Sequence, residues 1–527
     1  MSINYNLACA VHRHSLATPE AIAVVYKDRS VSYRDLAERA ASLAECLKSR
    51  SNWQRQGGTP PRVGILASRG IDACVALLGA CWAGATYVPI SLKLPEERLI
   101  TLLSLCRLSA IIADQEGAKL LSRRVLFACP SLVIHAARDL EAPPDTRIEL
   151  IHVESLPATE SGEPQYMEAK DTAYIIFTSG TTGVPKGVMI SSGSIRHYLE
   201  VITPLLDLRS NDRALEPCEL SFDFSVHNMF STWQAGASLH ILPATLVMNA
   251  VKFARQSQLT VWNSVPSLVG MLRQVKALTP DILPDLRVTV FGGEQLPEGA
   301  VAAWQISAPN SAVYNLYGPT EVTVFCLGQA ITRPIPLTPG RDFVAIGTPL
   351  PGSDAMVVSE NGEVVADGTA GELVVAGAQL AEGYHDAPEH TAARFPTLGG
   401  QRWYRTGDLA LRDGAGTFHC LGRIDNQVKV LGYRVELEEV DAHLRVVTHS
   451  DVVGSVAWPS LDGMARGIVC FVGGQTTDSN QVIADLKARL PAYMVPNRVI
   501  ALEHMPLNPN GKVDRRALRQ LLEQESV

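Results

Sequence analysis

Residues 174–187 read YIIFTSGTTGVPKG. An apolar, aromatic run, 174–177, enters a stretch of six consecutive Ser, Thr and Gly residues, 178–183, followed shortly by Lys186. Aromatic and β-branched residues favour an extended chain. Glycines let a backbone approach an anion closely and present bare N–H donors. Hydroxyls add further donors, and the lysine adds charge. The stretch therefore predicts a strand over 172–177, a phosphate-cradling loop, and a following helix over 194–206. It is not a Walker A loop, which needs G-x-x-x-x-G-K-[ST], because Gly187 follows Lys186.

Working outward, the same alternation recurs. A helical pattern spans 33–49, and short apolar runs occupy 63–66 and 110–113. Strands alternating with helices predict an α/β fold with largely parallel sheets, buried on both faces. From about residue 334 the texture changes to short, glycine-punctuated strands, with turns expected at Asn361-Gly362 and Asp367-Gly368. Beyond Asp425 the pattern alters again. A helix over 435–446, a strand over 468–472, a helix over 482–490 and a strand over 498–502 predict a compact α+β unit. The expectation is a large N-terminal domain, 1–424, and a small C-terminal domain, 425–527. The large domain would hold two α/β-layered sheet subdomains and a small β subdomain.

Composition narrows the function. The chain has 527 residues, 46% hydrophobic and 19% charged, with net charge -8. That balance suits a globular protein and argues against one that coats nucleic acid. Ten cysteines include no C-x-x-C pair, which disfavours a zinc site or a disulfide framework. The first residues lack a signal-peptide profile, and no apolar run is long enough to cross a bilayer. No membrane partner is expected, and the cytoplasm is the expected location.

Further motifs carry chemistry. Residues 315–321, NLYGPTE, put an aromatic, a hydroxyl and a carboxylate on one tight turn. Tyr317 suits stacking on a base and Glu321 suits Mg²⁺. In YRTGD, 404–408, Asp408 suits a ribose diol, with a plain Asx-turn as the alternative. GRIDNQVK, 422–429, with Gly432, and NPNGKVDR, 508–515, follow. Residues 221–230, SFDFSVHNMF, put a carboxylate and an imidazole into an apolar run. Burying a lone carboxylate is costly. Asp223 is therefore a helix cap, half of a structural ion pair, or the partner of a cationic substrate.

In this order and spacing the motifs resemble the adenylate-forming superfamily: peptide-synthetase adenylation domains, acyl-CoA ligases and firefly luciferase. The resemblance covers nearly the whole chain, from Val31-Ser32-Tyr33 to Lys512. It implies ATP and Mg²⁺ as cofactors and a C-terminal domain that turns about a hinge at Asp425. It also implies two half-reactions, in which a carboxylate is adenylated and a thiol then attacks the adenylate. By resemblance, Thr178, Ser179, Gly180, Thr181, Thr182 and Lys186 hold phosphates. Thr320 contacts the α-phosphate and Glu321 the metal. Gly293, Asn315 and Tyr317 frame the adenine, and Asp408 binds ribose with Arg423 nearby. Lys512 reaches the carboxylate and α-phosphate during adenylation. The face around Lys429, Gly432 and Tyr433 replaces it for thiol attack.

Members that activate amino acids carry an Asp at the position of Asp223, where it pairs with the substrate ammonium. The resemblance therefore implies an α-amino acid. Its pocket would be lined by Asp223, Phe224, His227, Asn263, Val290, Gly292, Leu316, Val324, Phe325 and Lys512. Phe224, Asn263 and Gly292 follow the threonine-activating pattern. His227 and Phe325 depart from it, standing where that pattern has Trp and His. Threonine, 2-aminobutyrate, valine and a D-alanine-type substrate stay open, as does an acyl-CoA ligase for a small organic acid. No phosphopantetheine-attachment segment is seen in the chain, so the expected partner is a separate phosphopantetheinylated carrier protein. A small activating protein is a further candidate partner.

Overall fold

The computed structural model describes residues 3–50, 53–55, 57–160, 162–180, 185–461, 464–474, 478–507 and 513–525. Runs of wholly buried residues form several of its parallel strands: Ala110–Ala113, Val261–Ser264 and Val288–Gly292 have no exposed position. Strands that lie under helices on both faces have this signature.

The described chain falls into two compact units. The first comprises Met1–Leu92, Leu103–Ile176 and Gly187–Gly422. Its largest sheet has nine strands. The parallel part runs Ala312–Tyr317, Val288–Gly292, Val261–Ser264, Arg213–Glu216, Ser238–Ile241 and Ile22–Tyr26. Antiparallel strands close both edges. Register sets Asn263 beside Val290, and Gly292 beside Leu316. An eight-stranded sheet carries Thr172–Thr178 next to Thr86–Pro89, with a parallel run through Arg62–Leu66, Ala110–Ala113, Leu132–His135 and Glu149–His152. The α/β expectation thus holds, and the helices lie close to where their periodicity put them. Tyr33–Lys48 starts at a capping box: Asp35 N–H donates to Ser32 Oγ at 3.1 Å, and Ser32 N–H donates to the Asp35 carboxylate at 3.4 Å.

The glycine-punctuated segment forms a five-stranded antiparallel sheet built on Ser353–Val358, Gly371–Gly377 and Gln401–Arg412. Asn361-Gly362 and Asp367-Gly368 are both turns in the single connection between the first two of these strands. Asp408 is not at a strand end. It lies within Gln401–Arg412, in a bulge where Thr406, Gly407 and Asp408 oppose Leu373 alone. Gly407 takes φ 72°, the left-handed conformation that such a bulge needs.

The second unit comprises Lys93–Leu102, Phe177–Lys186 and Arg423–Val527. A hairpin joins Gln427–Val430 to Tyr433–Glu436 through Leu431-Gly432, both at positive φ as a type I′ turn requires. Because Val435 pairs with Val428 in that hairpin, the next helix starts later than its pattern suggested, as Leu437–Thr448. The helix expected over 482–490 is Ser479–Lys487, displaced toward the N-terminus by the Asp478 cap. Helix Arg515–Glu525 is pinned by Arg515, which donates to Asp441 at 2.6 Å; Asp441 also accepts from Ser455.

Candidate active site

Helix Asp223–Ala235 begins without a side-chain cap. Phe222 holds the cap position and its side chain accepts nothing, so Asp223 is the first helical residue rather than the cap. A carboxylate there gains from the helix dipole. Asp223 is half-buried. Its negative charge adds to burial in holding the phenols of Tyr87, Tyr174 and Tyr198 protonated far above their ordinary range.

Phe224, the next residue, and His227, one turn on, face the interior, 5% and 0% exposed, and both pack on Phe325, 2% exposed. The ring centroids lie 5.1 Å apart for Phe224–Phe325, 5.5 Å for His227–Phe325 and 5.8 Å for Phe224–His227. Tyr198 O–H lies 2.6 Å from His227 Nδ1. Because the phenol keeps its proton, we assign it as the donor, which puts the ring proton on Nε2. Burial pushes the imidazole pKa down to about 3, and Asn263 opposes part of that fall. His227 is therefore neutral at every physiological pH and cannot serve as a cationic acid. Neither Nε2 nor Asn263 Oδ1 has a hydrogen-bond partner of normal geometry.

The floor of this region comes from the carboxyl ends of parallel strands, where open α/β sheets take ligands. Asn263, Val290, Gly292 and Leu316 are all buried there. A Cβ on Gly292 would stand 2.5 Å from the Phe325 ring, so the missing side chain is what seats that ring. Val324 and Thr323 take φ 68° and 56°. Consecutive β-branched residues in the left-handed region are strained and persist only when their surroundings hold them. Gln379 does so: its Nε2 donates to Phe325 O at 2.7 Å, and its own carbonyl accepts from Thr323 Oγ1 at 2.6 Å.

Beside this wall lies a polar group. Tyr317 O–H donates to Asp408 Oδ2, tying the end of Ala312–Tyr317 to the bulge. Thr320 begins a short 3-10 turn that carries Glu321. Glu321 is 1% exposed, and its Oε1 accepts from Tyr384 O–H at 2.9 Å. Gly293 is half-buried, directly after strand Val288–Gly292. The Asn315 amide donates to Ala345 O at 2.8 Å, which ties its strand to the segment that leads into Thr348–Pro349. Among the described residues no group of three or more His, Cys, Asp or Glu could hold a metal. A single fixed carboxylate still fits Mg²⁺, which takes most of its ligands from phosphate and water.

Other expected residues lie in the second unit. Thr178 ends its strand, its hydroxyl 3.5 Å from Lys186 O. Ser179 Oγ donates to Arg434 O at 2.9 Å, and Gly180 N–H donates to Glu439 at 3.3 Å. Arg423 is paired with Asp425, with contacts of 2.6 and 2.9 Å. Lys429 is exposed on the hairpin whose turn contains Gly432. Thr181, Thr182 and Lys512 lie outside the described residues. Sequence reasoning missed Tyr198, Gln379 and Tyr384. None of the three stands in a motif that sequence analysis singled out.

Comparison with known proteins gives a consistent result. The AMP-binding enzyme family matches residues 11–385. The D-alanine--D-alanyl carrier protein ligase of Lacticaseibacillus rhamnosus is 32% identical, over 97% of this chain and 98% of that protein. Delta-poly-L-ornithine synthetase of Acinetobacter baumannii is 31% identical over 97% of this chain, which spans 36% of that longer protein. Among solved structures, the Vibrio cholerae adenylation domain AlmE, in complex with glycyl-adenosine-5'-phosphate, superimposes with a TM-score of 0.87. It is 30% identical, and the match covers 99% of each chain.

Proposed function

Because the chain belongs to the AMP-binding enzyme family, a family of AMP-forming ligases, we propose that it activates a small α-amino acid with ATP and passes it to a carrier-protein thiol. The observation that carries the reading is Asp223: a half-buried carboxylate that does not cap its helix, at the mouth of a buried aromatic wall. A substrate ammonium brought against that carboxylate would form a charge pair with it. The D-alanyl relative and the glycyl-adenylate neighbour support a small substrate. Within that range the threonine-like triad of Phe224, Asn263 and Gly292 keeps threonine among the candidates.

In the first half-reaction a carboxylate oxygen of the amino acid bonds to the α-phosphorus of ATP. The bond from that phosphorus to the bridging oxygen breaks, and pyrophosphate leaves. In the second, a phosphopantetheine sulfur attacks the carbonyl carbon, and AMP leaves. Such chemistry asks a protein mainly for positioning and charge neutralisation. Asp223 holds the ammonium. Tyr317 and Asp408, joined by their hydrogen bond, frame the nucleoside with Gly293, and Asp408 accepts from the ribose hydroxyls. Thr320 donates to the α-phosphate. Residues 178–182 and Lys186 hold the remaining phosphates, and Arg423 stays close to the nucleoside. Glu321, fixed by Tyr384, would hold Mg²⁺, which supplies charge neutralisation on the phosphates. Lys512 is assigned to the developing charge between carboxylate and α-phosphate. In the same reading residues 425–527 turn about Asp425 between the two steps, and Lys429 and Gly432 serve the second. A small activating protein is kept as a further candidate partner.

Amino-acid-dependent ATP–pyrophosphate exchange across a panel tests this. Asp223→Ala should lower exchange by roughly 100-fold or more, the scale of removing one partner of a buried charge pair. Exchange with no amino acid, or exchange indifferent to Asp223→Ala, would sink the reading.

A further inference from the structure

If Asp223 anchors the ammonium, as proposed above, the substrate side chain must point toward Phe224, His227 and Phe325. These rings leave it little room. All three are 5% exposed or less and touch one another edge to face or tilted. The Phe325 ring lies on Gly292 at a separation no side chain there would permit. Its backbone is held by the Thr323–Val324 turn and the Gln379 brace, so the ring is fixed from both ends. We propose that Phe325 is a plug that closes the side-chain subsite to a hydrogen atom or a methyl group, making the substrate glycine or alanine.

A competing reading comes from His227 Nε2 and Asn263 Oδ1, neither of which has a hydrogen-bond partner of normal geometry. A threonine hydroxyl could donate to one and accept from the other. Threonine's methyl and hydroxyl together, however, would have to be accommodated against three rings that already touch one another, with Phe325 seated directly on Gly292. Interiors packed to crystal density do not yield that volume without strain. Size therefore outweighs the gain of two hydrogen bonds.

The test is ATP–pyrophosphate exchange by the full chain with glycine, both enantiomers of alanine, serine, threonine and valine. Wild type should favour glycine or alanine over valine and threonine by roughly 10- to 200-fold, the range for misfit by a methylene in a packed pocket. Phe325→Ala should raise kcat/KM for valine and threonine by about tenfold or more and lower it for glycine. Phe325→Leu, a milder change that guards against misfolding, should shift the order in the same direction by less. A wild type that prefers threonine, serine or valine overturns the proposal. So does a folded Phe325→Ala with the wild-type order of preference. Exchange with no amino acid at all overturns the amino-acid reading and the plug together, and is told apart from plug failure by the silent panel.

Discussion

Glu216 is a carboxylate 3% exposed, and burial pushes its pKa up to about 8 against the lowering effect of the Cys218 backbone N–H. Its native pKa lies above its ordinary 4.5, so the folded state holds the proton more tightly than the unfolded state does. That contribution is complete below the ordinary value and is lost as pH rises through the native one, at about 1.4 kcal/mol per pH unit. Glu216→Gln keeps the shape and removes the titration. Its stability relative to wild type should therefore grow from about pH 5 to about pH 8 in urea denaturation, and a constant difference would refute the assignment. At this scale, sequence revealed residues whose role is local. Asp223, Glu321 and Asp408 each stand in a short motif of distinctive chemistry. Tyr198, Gln379 and Tyr384 act only through partners distant in sequence: His227, Phe325 and Glu321. No spacing rule connects such pairs.

Among the elements, the start of helix Tyr33–Lys48 was legible because its cap is written within four residues, Ser32-Tyr33-Arg34-Asp35; helices Leu437–Thr448 and Ser479–Lys487 start away from where their apolar pattern put them. The wall-forming turn 322–325 was not. Nothing in Val-Thr-Val-Phe announces two left-handed residues, because their conformation is imposed from outside by Gln379. Gln379→Ala should therefore act on the turn as a unit. Leaving the buried Phe325 carbonyl unsatisfied should cost about 1–3 kcal/mol in thermal or urea denaturation. It should also raise KM for the amino acid more than it lowers kcat, since the wall and not the phosphate site is loosened. An unchanged KM with full stability would show that the turn holds itself.

For the whole molecule, the family is readable from five motifs standing in a fixed order along the chain. The architecture follows because parallel strands buried on both faces carry a recognisable apolar signature. The chemical division of labour remains a proposal with a direct test. Lys512→Ala should reduce adenylation by roughly 100- to 1,000-fold, the loss typical of one electrostatic stabiliser. Conversion of supplied aminoacyl adenylate to thioester should stay near wild type, and unchanged adenylation would remove Lys512 from the mechanism. The bulge at Thr406-Gly407-Asp408 bears on how such a site is built at all. Three residues face one, an excess of two, and two is the period of a strand. The inside–outside alternation is therefore in phase on either side of the insertion. A sheet can gain or lose an even number of residues without re-sorting its core. Asp408 is thus mounted on an insertion that leaves the alternation of the flanking strand unchanged, and losing one residue there would disturb that alternation where losing two would not.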